Sequence, residues 1–465
     1  MASRKRKRRL GATVFVLVVV LSGTYLWADA TGLVPGYLTT DPPPAAAAAF
    51  PDPPGAVAAT DLAAAPTGAT SSTPKTTADI AGGIAKLADD KDAMGKSFAA
   101  VVTDAVTGDV IAAKNIDKPM TPASTQKILT AVAAFDSLDP TSTLTTKVVQ
   151  ASATQVVIVG GGDMMLSAKK GKPTEINGRA GLGDLATQVA QKLATAGDTE
   201  VTVGYDSSLF DSNTHGVWSQ SPAEGYAAPV VPLAVDTGRM KEGEYAPRYN
   251  DPDLEAAKVF AKRLAEKGIT VTGGPTRVTA GADATELGSV HSAPIEQIVS
   301  YFLDHSDNTI TEVVGRLVAI QRGLPASFDG ATKAVLATLG EQGIDVSKAH
   351  LTDCSGLADG SKVTARTLLA AVTALATPGD GTYHDAAAGL PISGWTGTLA
   401  DRMTSEQARG NVRAKTGTLP KVVALAGTVQ TKTQRPLNFV LIADKSPSTW
   451  ASRKRIDDFV SGLTG

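Results

Sequence analysis

Ser124 and Lys127 stand three residues apart at the head of an apolar run, Ile128 to Phe135. That spacing puts two side chains on one helical face. A serine alcohol is a poor nucleophile until a base takes its proton. A lysine serves as that base when burial and neighbouring cations lower its pKa. Pro122 and Ser124 read as a helix start, whose free N–H groups would face an oxyanion formed there. Taken alone, the pair also fits a capping serine beside a solvated lysine. Two more short motifs follow, Ser306-Asp307-Asn308 and Lys415-Thr416-Gly417.

The elements that must position these residues are legible in outline. Ile80 to Met94 reads as a helix. Phe98–Val102 and Val110–Ala113 read as a hairpin turning at Thr107-Gly108. Between about 144 and 287, strand-like runs such as Val156–Val159 and Val201–Val203 alternate with amphipathic stretches. Leu182–Ala196 and Leu254–Lys267 are the clearest helices there. Gly160-Gly161-Gly162-Asp163 lacks the Gly-Lys-Ser/Thr of a phosphate loop and reads as a tight turn. Ser306-Asp307-Asn308 interrupts two helices, Pro294–His305 and Thr309–Arg322, with Asn308, Thr311 and Glu312 as the cap region. Helices around Ala331–Gln342 and Ala365–Ala374 follow. Strands at Val412–Thr418, Val422–Val429 and Leu437–Ala443 precede a closing helix, Thr449–Leu463. Strands at both ends with helices between predict an α+β fold with a mostly antiparallel sheet.

Composition bounds the function. The chain has 465 residues and a net charge of −2, which gives no electrostatic case for nucleic acid. Cys354 is the only cysteine, so no intramolecular disulfide or cysteine zinc site forms. The five histidines show no ligand spacing, and no metal or other cofactor is expected. Arg4 to Arg9 is a basic cluster followed by an apolar run from Leu10 to Trp27. It reads as an export signal, either a membrane anchor over 10–28 or a segment cleaved near Ala30. Residues 29–78 are a Pro/Ala-rich linker.

Together and in this order, S-x-x-K, S-D-N and K-T-G resemble the three-motif signature of penicillin-binding proteins and serine β-lactamases. The interval of 179 positions between Lys127 and Ser306, and the lack of an E-x-x-L-N motif, narrow the resemblance. From about Ile80 onward the chain resembles the D-Ala-D-Ala carboxypeptidase/endopeptidase family, also called class C low-molecular-mass penicillin-binding proteins. Asp353-Cys354-Ser355-Gly356-Leu357, Gly397-Thr398-Leu399 and Arg413 to Leu419 add to it. Cys354 departs from the family's usual glycine.

The resemblance implies a penicillin-binding/β-lactamase-like transpeptidase domain, 79–143 and 288–465, with one or two small domains inserted at 144–287. It implies a cell-envelope enzyme acting on peptidoglycan stem peptides ending in D-Ala-D-Ala and acylated by β-lactams. Ser124 would be the nucleophile and Lys127 the base, with Ser306 relaying a proton to the leaving amine. Asn308 would bind the substrate backbone and Lys127. Lys415 would keep Lys127 neutral and, with Thr416 and Thr418, bind the substrate carboxylate. Gly417 would let the substrate approach. Backbone N–H groups of Ser124 and Thr418 would form the oxyanion hole. His305 reads as a surface residue, and Trp218 and Tyr226 as packing. The alternatives are a non-catalytic muropeptide-binding module and a β-lactamase.

Overall fold

The computed structural model describes residues 17–31, 76–211, 213–218, 224–376 and 384–465. Residues 17–30 form a helix belonging to a separate unit. Among the described residues no helix is long and apolar enough to cross a membrane. The basic cluster, residues 10–16 and most of the linker lie outside the described residues. Everything from Thr76 onward belongs to one compact unit.

That unit is organised around a five-stranded antiparallel sheet. Its strands are β1 (Ser97–Asp104), β2 (Val110–Lys114), β11 (Val412–Leu419), β12 (Val422–Gln430) and β13 (Pro436–Asp444). The order is β11-β12-β13-β1-β2, so the first and last strands of this unit pair with one another inside the sheet. Buried on both faces, its inner strands read as continuous apolar runs. Phe98, Ala100 and Val102 point to one face, against the terminal helices α1 (Thr77–Asp89) and α10 (Thr449–Leu463). Ala99 and Val101 point to the other, towards a helical layer. That layer holds α2 (Lys127–Ser137), α5 (Ile295–His305), α6 (Asn308–Gln321), α7 (Phe328–Glu341) and α8 (Ala365–Ala376). Helix α2 is apolar and buried all round from Lys127 to Phe135, as a central helix must be.

A second sheet lies between α2 and α5 in the sequence. It joins β10 (Thr285–Pro294), β3 (Thr143–Ser152), β4 (Gln155–Val159), β6 (Glu200–Asp206) and β8 (Thr270–Val271), with β9 (Thr276–Arg277) beside β6. The β4–β6 and β6–β8 pairs are parallel and need crossover helices, supplied by α3 (Leu182–Ala196) and α4 (Pro252–Ala265). Its core, with Val148, Ile158, Leu185 and Phe260, is separate from the other two. Ile295 N–H donates to Ser142 O at 2.9 Å, pinning the two ends of this region together. Its 142–295 stretch thus leaves and re-enters the helical layer at one point, which brings the first two motifs together. Gly160 and Gly161 admit no Cβ, because the backbone there abuts Pro232 O and Thr145 O.

Candidate active site

Ser124 does not open an α-helix. It lies in a 3-10 turn, Ala123–Gln126, and α2 begins at Lys127. A 3-10 turn eclipses residues three apart, which places Lys127 directly over Ser124. Ala123 just before it has φ +47°, a left-handed conformation costly for a residue with a Cβ. No side chain caps the turn. Lys127 Nζ lies 3.0 Å from Ser124 Oγ and donates to Asn308 Oδ1 at 2.6 Å and to Ser355 O at 2.9 Å.

Ser306 ends α5 in the left-handed region, φ +56°, and turns the chain into α6. The cap of α6 is Asp307, whose carboxylate accepts from Ile310 N, rather than the expected Asn308. This frees the Asn308 side chain for the site, where it also donates to Tyr226 O at 2.8 Å. Thr311 bonds Asp307 O, and Glu312 lies buried against Arg316 and accepts from Cys354 N. Ser306 lines the same cleft as Ser124, with no hydrogen bond to Ser124 or Lys127 among the described residues.

Strand β11 is an edge strand and brings Lys415, Thr416, Gly417 and Thr418 alongside. A Cβ on Gly417 would meet Pro122 O at 2.9 Å and Ser124 N at 3.2 Å, so glycine permits this approach. Ala414 N–H points off the free edge, donating to Pro391 O. By strand alternation the Thr416 and Thr418 N–H groups point the same way. Thr416 Oγ1 donates to Thr398 Oγ1 at 2.8 Å. Thr416 and Thr418 line a cleft of about 2060 Å³ together with Ser124, Ser306 and Asn308.

Burial comes first in pulling the Lys127 amine down to about 7, while Asp353 and Asp307 oppose the shift. Lys415 is itself wholly buried and pushed well below its ordinary value, first by burial and then by Lys127. Its amine donates to Thr416 O, leaving Thr416 and Thr418 as the K-T-G side chains that line the cleft.

Sequence reasoning gave no role to the Asp353–Leu357 loop, which forms the rear wall. Asp353 is fully buried, and its carboxylate accepts from Ser355 Oγ at 2.7 Å and Gly356 N at 2.8 Å. Gly356 has φ +78°, and a Cβ there would strike Ala123 O. Cys354 is buried against Gly315, and its place does not demand a glycine conformation. Tyr226 corrects the packing assignment: it is 48% exposed and lines the cleft, edge-on to Tyr245. Trp218 is buried, as expected. His305 is exposed and stacked on Tyr301. Arg239, also unread in the sequence, sits between Asp236 and Asp307 at 3.0 and 3.5 Å. Among the described residues no cluster of potential ligands could hold a metal.

A serine hydroxyl beside a buried amine of lowered pKa, at an edge strand whose Thr416 and Thr418 N–H groups point off the sheet, is an arrangement able to do acyl transfer. A sequence model of the D-Ala-D-Ala carboxypeptidase 3 (S13) family matches residues 80–248 and 242–463. The chain is 35% identical over 407 residues to the carboxypeptidase Rv3627c of Mycobacterium tuberculosis, covering 85% of this chain and 86% of that protein. It is 36% identical over 372 residues to the carboxypeptidase DacB of Mycolicibacterium smegmatis, covering 78% and 79%. Its fold is similar to that of penicillin binding protein 4 of Haemophilus influenzae. The TM-score is 0.68 at 22% identity, covering 82% of this chain and 98% of that one. These matches decide for an enzyme over a binding module: the chain belongs to the S13 family and is a serine-type D-Ala-D-Ala carboxypeptidase.

Proposed function

We propose that the enzyme works through a Ser124 acyl-enzyme on peptidoglycan stem peptides, cleaves D-Ala-linked cross-bridges as well as terminal D-Ala, and is acylated by penicillins. The observation that carries this reading is the buried Lys127 amine, 3.0 Å from Ser124 Oγ and held near pKa 7. Neutral Lys127 takes the Ser124 proton as Oγ attacks the penultimate D-Ala carbonyl. The oxyanion meets the N–H groups of Ser124 and Thr418. The C–N bond breaks, and the departing amine takes its proton by way of Ser306. Thr416 and Thr418 hold the substrate carboxylate. Water then attacks the ester, with Lys127 again as base, and frees Ser124. Retention in the cleft of a second stem peptide gives the endopeptidase activity, and the cleft volume supports it.

The N-terminal segment, over 10–28, holds the enzyme at the outer face of the cytoplasmic membrane, unless cleavage near Ala30 releases it. The basic cluster supports this reading, as do Leu17 to Leu21 and Trp27, whose apolar side chains are exposed.

The test uses the full-length protein in detergent with a fluorescent penicillin, peptide mapping, stem pentapeptides and cross-linked dimers. Label on Ser124, with D-Ala release and dimer cleavage lost in Ser124→Ala, is expected. Label elsewhere, or turnover surviving Ser124→Ala, overturns the mechanism. Dimers left intact while pentapeptide is trimmed remove the endopeptidase activity.

A further inference from the structure

Trp218 is among the largest fully buried side chains, yet it comes from the inserted region and belongs to none of the motifs. Its ring stands edge-on to Phe328, with centroids 5.0 Å apart. Its Nε1–H donates to Asp353 Oδ2 at 2.8 Å. A phenylalanine would serve the packing alone, but a buried indole N–H needs an acceptor. Here the acceptor is the carboxylate that folds the 353–357 loop. Asp353 Oδ2 also accepts from Ser355 Oγ, and Ser355 O accepts from Lys127 Nζ at 2.9 Å.

We propose that Trp218 is a positioning residue of the peptidase reaction: its indole N–H fixes the Asp353 carboxylate, which sets both the seat of Lys127 on Ser355 O and the negative charge the amine feels. The proposal takes Lys127 as the base, as argued above. Besides Ser124 and Ser355 O, four side chains face Lys127: Asn308 of α6 and its cap Asp307, Lys415 from β11 and Asp353 from its loop. Glu312 of α6 lies against Asp353 through the Cys354 N–H, with Arg316 behind it. Of these groups, Trp218 bonds Asp353. The indole N–H turns the positive end of its dipole to this carboxylate and offsets part of its field, so without it Lys127 feels a more negative potential. Asp353 favours the protonated amine, so loss of the indole N–H moves the Lys127 titration upward.

Trp218→Phe keeps a ring against Phe328 and removes the N–H. The full-length protein in detergent is followed from pH 5 to 9 by the rate of acylation with a fluorescent penicillin. In parallel, 13C-lysine NMR follows the Lys127 titration without turnover. Both midpoints should rise by about half a unit to one unit, and acylation at pH 7 should fall about two- to fivefold. The dissociation constant before acylation should not change. Phe328→Leu, which removes packing and leaves the N–H, should lower Tm without moving either midpoint. Asp353→Asn should move the Lys127 titration down. An unmoved midpoint in Trp218→Phe, or an equal shift in Phe328→Leu, overturns the proposal. If Trp218→Phe does not fold, Asp353→Asn decides, and a shift that is absent or upward overturns it. A wild type that penicillin leaves unlabelled, while Trp218→Phe still moves the NMR titration, defeats the peptidase mechanism and upholds the coupling.

Discussion

Replacing Lys127 by methionine exchanges a buried amine for an uncharged side chain of similar length. In the folded protein, burial holds this amine at about 7. In the unfolded chain a lysine titrates near about 10.4. Between those values the unfolded chain binds one more proton than the folded one, so stability rises with pH. Below the window both states carry the proton, and above it neither does. Within it, each pH unit adds about 1.4 kcal/mol to the wild type. Lys127→Met abolishes that slope. Lys415, which charged Lys127 pushes down, is relieved in the variant and adds to the difference in the same direction. The assay is urea unfolding of both proteins at pH 7.5, 8.5 and 9.5, about the middle of that window, read by tryptophan fluorescence. The wild type should gain about 3 kcal/mol on the variant across the series. A difference that stays flat would show that the amine is not depressed, and would remove the reason for assigning it as the base.

Three other outcomes follow from the same geometry. Acylation by penicillin should fall about tenfold per unit as pH drops below the Lys127 value, because the protonated amine cannot accept the Ser124 proton; a rate constant from pH 5 to 8 would exclude Lys127. Asn308→Ala removes the acceptor 2.6 Å from Lys127 and the bond to Tyr226 O, and should slow acylation about 100-fold with the circular dichroism spectrum intact. Undiminished acylation would take Asn308 out of the site. Gly356→Ala puts a Cβ at φ +78° against Ala123 O and should cost at least about 2 kcal/mol in unfolding experiments, a loss that a variant as stable as the wild type would disprove.

Much of the fold is legible because its signals are local. Helix α3 begins and ends where the pattern places it, and Gly197, left-handed at φ +83°, stops it chemically. The apolar runs of β1, β12 and β13 read as strands because both faces of their sheet are covered. The Ser124–Lys127 pair is legible for a similar reason, since its two members are three residues apart on one turn. Asp307 and Asn308 differ by one position and both suit a cap, so only the backbone path chooses between them.

The sequence by itself determined which residues are candidates for the chemistry, because a nucleophile, a base and a close-approach glycine are matters of residue type. Only the tertiary structure decided how they are placed. The depressed Lys127 amine depends on complete burial, which no neighbour in the chain specifies. The buried place of Lys415, the exposed ring of Tyr226 and the bond from Trp218 to Asp353, 135 positions away, are of the same kind. Each arises where distant segments fold onto one another, and the free energy that sets them is that of desolvation and packing in the assembled core.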